Sequence, residues 1–252
     1  KKRTRAIIAK EKGLEPLAEI IFAQEEKKDI YEIAQEYINE EKEVKTVEDA
    51  IAGASDIIAE NIADDADYRK KIKSFCFREA VISTKAAKEE KSAYDMYYDY
   101  QEAILKMPSH RILAINRGEK EEFLKVKLDK PEEKILEYLK KQIIQDYKSQ
   151  FAEPLTNAIE DSYKRLIEPS IEREIRNDLT EKAEEKAIKV FGKNAKQLLL
   201  GAPIKDKTVM GFDPAYRTGC KIAVIDDTGK LLDTTTVYPT EPQNDVIGAK
   251  KT

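Results

Sequence analysis

The 252-residue chain is most informative first in what it lacks. His110 is its single histidine, so histidine-rich metal centres and HExxH zinc sites are missing their partners. Its two cysteines, Cys76 and Cys220, stand far apart with no CxxC spacing. That argues against both a zinc ribbon and a disulfide framework, and fits a reducing, cytoplasmic setting. The nine glycines form neither GxxxxGKS/T nor GxGxxG, and phosphate-cradling loops are not expected. No apolar run approaches the roughly 18 residues of a bilayer span, so no membrane association is expected. The start, Lys1-Lys2-Arg3-Thr4-Arg5, leads into the mixed stretch Ala6 to Glu11 rather than an apolar signal segment, and the missing initiator Met points to an excised fragment.

What is present is charge and helix. Charged residues reach 37% and hydrophobic residues 41%, the balance of a soluble, helix-rich protein. Lys plus Arg number 45 against 49 Asp plus Glu, a net charge of -4. No global positive field draws the chain onto nucleic acid, and any such contact must be local.

Periodicity predicts helices over nearly all of residues 1–203. One follows the basic start and stops at Gly13, and a second covers Leu14 to Gln24. Thr46 with Asp49 reads as a capping box opening Val47 to Asn61. A further helix is expected from Ala66 to Lys88, then a loop with Tyr94, Tyr97, Tyr98 and Tyr100, read as half-buried packing rather than a stacking platform. Ser109 is expected to cap the next helix, Phe123 to Leu128 alternates like a short strand, and Pro131 opens another helix. Pro169 to Leu200, with an N-cap nearby, is the clearest helical signal. Its stripe Ile171, Ile175, Leu179, Ala183, Ala187, Val190 or Phe191, Ala195 and Leu198 describes a rod of about 48 Å. The expected role is a spine for other helices, with a coiled coil as the alternative.

Beyond Gly201-Ala202-Pro203 the pattern changes to strands at Thr208–Phe212, Lys221–Ile225 and Leu231–Tyr238. Asp227-Thr228-Gly229-Lys230 forms the second turn. The expected fold is therefore mostly α: a multi-helix N-terminal region (1–203) with one long spine helix, then a truncated antiparallel three-stranded β-meander (204–252). Three strands with a stub of helix at Asn244–Ala249 cannot bury both faces, so the chain is expected to end inside a domain. The strands are expected to pair with another copy, fold back on the long helix or order poorly.

The sharpest motif is Met210-Gly211-Phe212-Asp213-Pro214-Ala215-Tyr216-Arg217-Thr218-Gly219. A carboxylate ending a first strand, then a turn with a basic residue, then an antiparallel strand resembles the opening of an RNase H-like or resolvase-like domain. There such an Asp helps hold divalent metal ions. Asp226, Asp227 and Asp233 lie where turns favour aspartate for backbone reasons. Arg217 either meets a phosphate or pairs with Asp213 or Asp226. Lys1, Lys2, Arg3 and Arg5 are weak candidates for phosphate contact, and His110 is expected to be packed or solvated.

Several segments together resemble the bacterial Tex proteins, a family of transcription accessory factors. They are Arg5 to Ala18, Gly53 to Glu60, Pro108-Ser109-His110-Arg111, Asn116 to Glu121, Pro169 to Glu174 and the run Val209 to Tyr238. The family pattern Asp-Pro-Gly-Phe-Arg-Thr-Gly appears here with Ala215 and Tyr216 in place of Gly and Phe, which questions a left-handed turn at that point. The resemblance implies a helical region with a helix-turn-helix-like part, then the start of a YqgF-type RNase H-like domain. The parent protein would continue into helix-hairpin-helix motifs and an S1-type OB-fold that binds RNA. Function is then expected to be that of a nucleic-acid-associated scaffold in transcription, without enzymatic activity or cofactor. Nucleic acid would be met through the parent, and RNA polymerase is a candidate partner. The alternative is a metal-dependent nuclease using Mg, with Asp213 as first ligand; a pure protein-interaction module is the third reading.

Overall fold

The computed structural model describes residues 3–88, 90–202 and 204–252 and is 56% helical. Ten α-helices and six strands are described, and the chain divides into two compact units, Lys1–Ile188 and Lys189–Thr252.

The first unit opens with α1 (Arg5–Glu11), α2 (Glu15–Ala23), α3 (Ile30–Gln35) and α4 (Val47–Asp64). Thr46 Oγ1 accepts the Asp49 amide at 3.1 Å while Asp49 Oδ2 accepts the Thr46 amide at 3.1 Å. The predicted capping box therefore forms, stabilising the helix start by about 1 kcal/mol. Helix α4 is the hub of this half. Its inward face, Ala50, Ala54, Ile57, Ile58 and Ile62, is buried against α1, α2 and α3.

Helix α5 (Ala66–Glu79) is capped by Asp65, whose side chain accepts the amides of Asp67 and Tyr68. The expected helix through Lys88 is corrected here, because α5 stops at Glu79 and Val81–Ala86 is strand β1. The run Val81-Ile82-Ser83-Thr84, β-branched at three of its four positions, prefers a pleat, and it finds partners on both sides. Strand β2 (Asp99–Ala103) and strand β3 (Leu124–Asp129) flank it in the antiparallel order β2-β1-β3. Ile82 and Thr84 turn inward with Leu124 and Leu128, while Lys85 faces out directly beside Lys125. The tyrosines pack around this sheet as expected. Tyr94 and Tyr97 are buried, and Tyr97 meets Tyr100 edge-on at 5.4 Å. Between β2 and β3, α6 (Ser109–Lys120) starts after Pro108 with no capping side chain, so Ser109 is the first helical residue and not the cap.

Helix α7 (Glu132–Ile143) follows Pro131, and then comes a helix longer than expected. No cap interrupts the chain near Pro169: α8 (Ala152–Asp161) passes through a wide π-turn, Ser162–Ile167, directly into α9 (Glu168–Leu199). Proline lacks the N–H of a regular helix and crowds the carbonyl four residues back. The wide turn, in which the Glu168 amide reaches Tyr163, accommodates it. The stripe of α9 is buried at Ile171, Ile175, Leu179 and Ala183. Farther along, where burial was expected to continue, Ile188, Phe191, Leu198 and Leu199 are exposed.

In the second unit, β4 (Val209–Asp213), β5 (Cys220–Ile225) and β6 (Leu231–Val237) form the expected meander, in the order β4-β5-β6, and α10 (Val246–Lys251) follows. Met210, Phe212, Leu231 and Leu232 of this sheet are all more than half exposed.

Candidate functional site

Asp213 ends β4 directly opposite Lys221 on β5, which in turn faces Thr236 on β6. The same side of the pleat carries Gly211, Ala223 and Thr234, small groups that leave an open cavity of about 640 Å³ over Asp213. Asp213 is thus an exposed carboxylate on an uncluttered sheet face, with an ammonium group rather than a second acid opposite.

The neighbouring acids have other work. Asp226 Oδ1 accepts the Thr228 hydroxyl at 2.7 Å and the amides of Thr228 and Lys230 at 2.9 Å. The Thr228 hydroxyl and those amides hold its carboxyl below the usual range, as a turn-building Asp requires. Asp233 accepts its neighbour's amide at Thr234 and sits opposite Val224, on the face away from Asp213. Among the described residues no group of three or more His, Cys, Asp and Glu side chains is placed to hold a metal ion. At Asp213 the described residues place one carboxylate facing a lysine.

The loop between β4 and β5 resolves the departure from Gly-Phe at Ala215-Tyr216. Its left-handed residue is Gly219, at φ +78°, and a Cβ there would lie 2.5 Å from the Tyr238 ring and 2.7 Å from Thr236. The turn that needs glycine is four residues downstream of Ala215, so alanine is tolerated. Arg217 is exposed on this loop, and its guanidinium pairs with neither Asp213 nor Asp226 among the described residues. Only its carbonyl is engaged, accepting from Gln243 at 3.2 Å.

Of the basic start, Lys1 and Lys2 lie outside the described residues. Arg3 pairs with Glu11. Arg5, exposed at the first position of α1, borders a cavity of about 640 Å³ together with Asp29, Glu48, Asp56, Glu153 and Asp161. Burial raises the Asp56 carboxyl despite Arg165 at 3.3 Å, and the surroundings of Arg5 are acidic rather than phosphate-seeking. Asp213 and Arg217 belong to the second unit, Arg3 and Arg5 to the first. His110 is exposed in the first turn of α6.

The segments that resemble the Tex family hold helices together. Asn116 Nδ2 donates to Thr180 Oγ1 at 2.8 Å, and Arg176 forks onto Glu119 with Nη1 to Oε1 at 3.0 Å, fastening α6 to α9. Ser170 and Glu174 both receive Arg69 of α5, and Lys73 reaches Asp178 at 3.0 Å. Lys130, whose side chain is only 5% exposed, sits between Glu168 at 3.1 Å and Glu172. Sequence reading expected a helix here but passed over its charge. From Arg69 to Arg78 it carries five cations and no acid, a signal that charge counting by segment would have found.

Comparison with known proteins agrees with this architecture. The Tex central region-like family matches residues 25–191, and the Tex protein YqgF-like domain matches residues 207–252. The YdcI protein of Bacillus subtilis is 51% identical over 97% of this chain and 34% of its own length. The transcriptional accessory protein Tex of Neisseria gonorrhoeae is 39% identical over 97% of this chain and 33% of its own. The human S1 RNA-binding domain-containing protein 1 is 33% identical over 94% and 25%. The chain belongs to the Tex family, and it spans about a third of the length of the curated relatives it matches.

Proposed function

We propose that this chain is a non-enzymatic scaffold of a transcription accessory protein, whose long helix orders neighbouring domains around nucleic acid and RNA polymerase in the cytoplasm. The observation that carries the reading is the uninterrupted helix from Ala152 to Leu199. It is fastened along α9 by ion pairs to Arg69, Lys73, Glu119 and Lys130, and then continues with its apolar residues bare. Relatives named for transcription and for an S1 RNA-binding domain support the setting. Among the described residues no helix is long and apolar enough to cross a membrane.

The bare sheet of the second unit makes self-association through β4 to β6 part of the same proposal. The test titrates fluorescent single-stranded RNA and duplex DNA against this chain and against the full-length protein, across a salt series with magnesium. Binding by the full-length protein without cleavage supports the scaffold. Magnesium-dependent cleavage that disappears in Asp213→Ala overturns it in favour of the nuclease reading.

A further inference from the structure

The most basic element in an acidic chain is α5. Residues 69–78, Arg-Lys-Lys-Ile-Lys-Ser-Phe-Cys-Phe-Arg, hold five cations and no acid, while the whole chain carries a net charge of -4. Ile72 and Cys76 face the core and Phe75 and Phe77 pack partly against it, while Lys70, Lys71 and Arg78 are exposed. The macrodipole favours a cation in the last turn, which accounts for Arg78 but not for Lys70 and Lys71. Lys70 and Lys73 lie three apart on the helix and repel each other, a local cost that packing does not require.

The neighbouring elements add to the charge. Lys71 and Lys134 of α7 both approach the Phe75 ring, at 5.4 and 5.0 Å from its centre. Lys73 and Lys182 of α9 flank Phe77 at 5.9 and 5.5 Å. The rings hold these stems along the surface and keep the ammonium groups in water. Carboxylates occupy only part of the set: Glu174 and Asp178 take Arg69 and Lys73, and Glu79 takes Lys134. Lys70, Lys71, Arg78 and Lys182 have no carboxylate partner among the described residues.

We propose that this face of α5, with Lys182, docks the phosphodiester backbone of a nucleic acid, so that this chain itself makes a contact separate from any further domain of the longer protein. The proposal rests on the nucleic-acid association inferred above and gives it a location. Both aromatic rings are half-buried against the core and each is approached by two lysines, so neither is an open platform for base stacking. Recognition is of phosphate, independent of sequence, and works on duplex at least as well as on single strands. Four free cations imply a slope of log affinity against log salt of about -3.6 on duplex DNA and about -2.8 on a single strand.

The experiment measures binding of a labelled 20-base-pair DNA and a 20-nucleotide RNA to this chain from about 50 to 200 mM salt. Lys70→Glu/Lys71→Glu is compared with Lys85→Glu/Lys125→Glu, which makes the same charge change on the exposed sheet face of the same unit. The first variant is expected to lose at least tenfold in affinity and roughly half the slope, the second less than threefold. Lys70→Gln/Lys71→Gln reads the same contact at smaller charge change should the reversal disturb folding by circular dichroism.

Unchanged binding in both α5 variants overturns the proposal, and so does equal loss in the sheet control. If this chain fails to bind while the full-length protein binds, the α5 site is wrong and the scaffold reading stands. If neither binds, both fall.

Discussion

Two adjacent residues of the π-turn should respond in opposite directions to the loss of one oxygen atom. Tyr163 is 1% exposed, and its hydroxyl has no hydrogen-bond partner among the described residues. Burial pushes its phenol well above the ordinary tyrosine range, because the charged phenolate would lose its solvation there. An unpaired buried hydroxyl costs about 1–3 kcal/mol, whereas the void left by one oxygen adds only a few tenths at about 24 cal/mol per Å³. Tyr163→Phe is therefore expected to stabilise the first unit by about 1 kcal/mol, a rise in Tm of about 2–4 °C for a unit of this size. Ser162 is also fully buried, but its Oγ donates to the Ala59 carbonyl of α4 at 2.7 Å. Ser162→Ala is thus expected to cost about 1 kcal/mol. Urea unfolding followed by circular dichroism measures both, with the m-value checked for constancy. A loss of 1 kcal/mol or more in Tyr163→Phe would refute the reasoning, because it would require a hydrogen bond to that hydroxyl.

The other predictions concern packing, acid and thiol chemistry. In Gly118→Ala a Cβ would lie 2.6 Å from Leu124 Cδ1 and 3.1 Å from the Tyr94 ring. Overpacking of about 1–3 kcal/mol then outweighs the gain of about 1 kcal/mol in helix propensity, and Tm should fall. The Tyr100 hydroxyl, then Arg111, holds the Glu102 carboxyl below its ordinary 4.5. A depressed carboxylate contributes stability that is complete above that value and lost as pH falls through the folded one, so Glu102→Gln should flatten the acid limb of a Tm-against-pH curve. The buried Cys76 thiol is pushed up to about 11 by desolvation. At pH 8 a thiol-reactive dye should label Cys76 only when urea is added, and rapid labelling in the native state would contradict its burial.

How much of this was legible depended on whether the signal was local. The meander, the Thr46–Asp49 box and the inward stripe of α4 follow from spacing of two, from a cap four residues long and from spacing of three to four, all readable without tertiary partners. Strands β1 and β2 were not, since Val81–Ala86 takes its conformation from β2 and β3, which arrive from distant sequence. The fusion of α8 and α9 was hidden by Pro169, a residue that normally stops a helix and is admitted here by the π-turn before it. At the candidate site the strand-end position of Asp213 was legible, but the lysine opposite depends on register. The acids around Arg5 come from α4, α8 and the cap of α3, and no sequence window brings them together.

The long helix also carries a gradient of its own. Up to Ala183 its backbone hydrogen bonds are protected by a buried stripe. Beyond that point, where Ile188, Phe191 and Leu198 are exposed, the helix is extended mainly by propagation from the part already formed. Amide exchange along α9 should therefore accelerate turn by turn from Ala183 to Leu199, with no single step. Anything that packs on those last turns would flatten the gradient, so the exchange profile of one helix becomes a built-in reporter of whether its outer half is engaged.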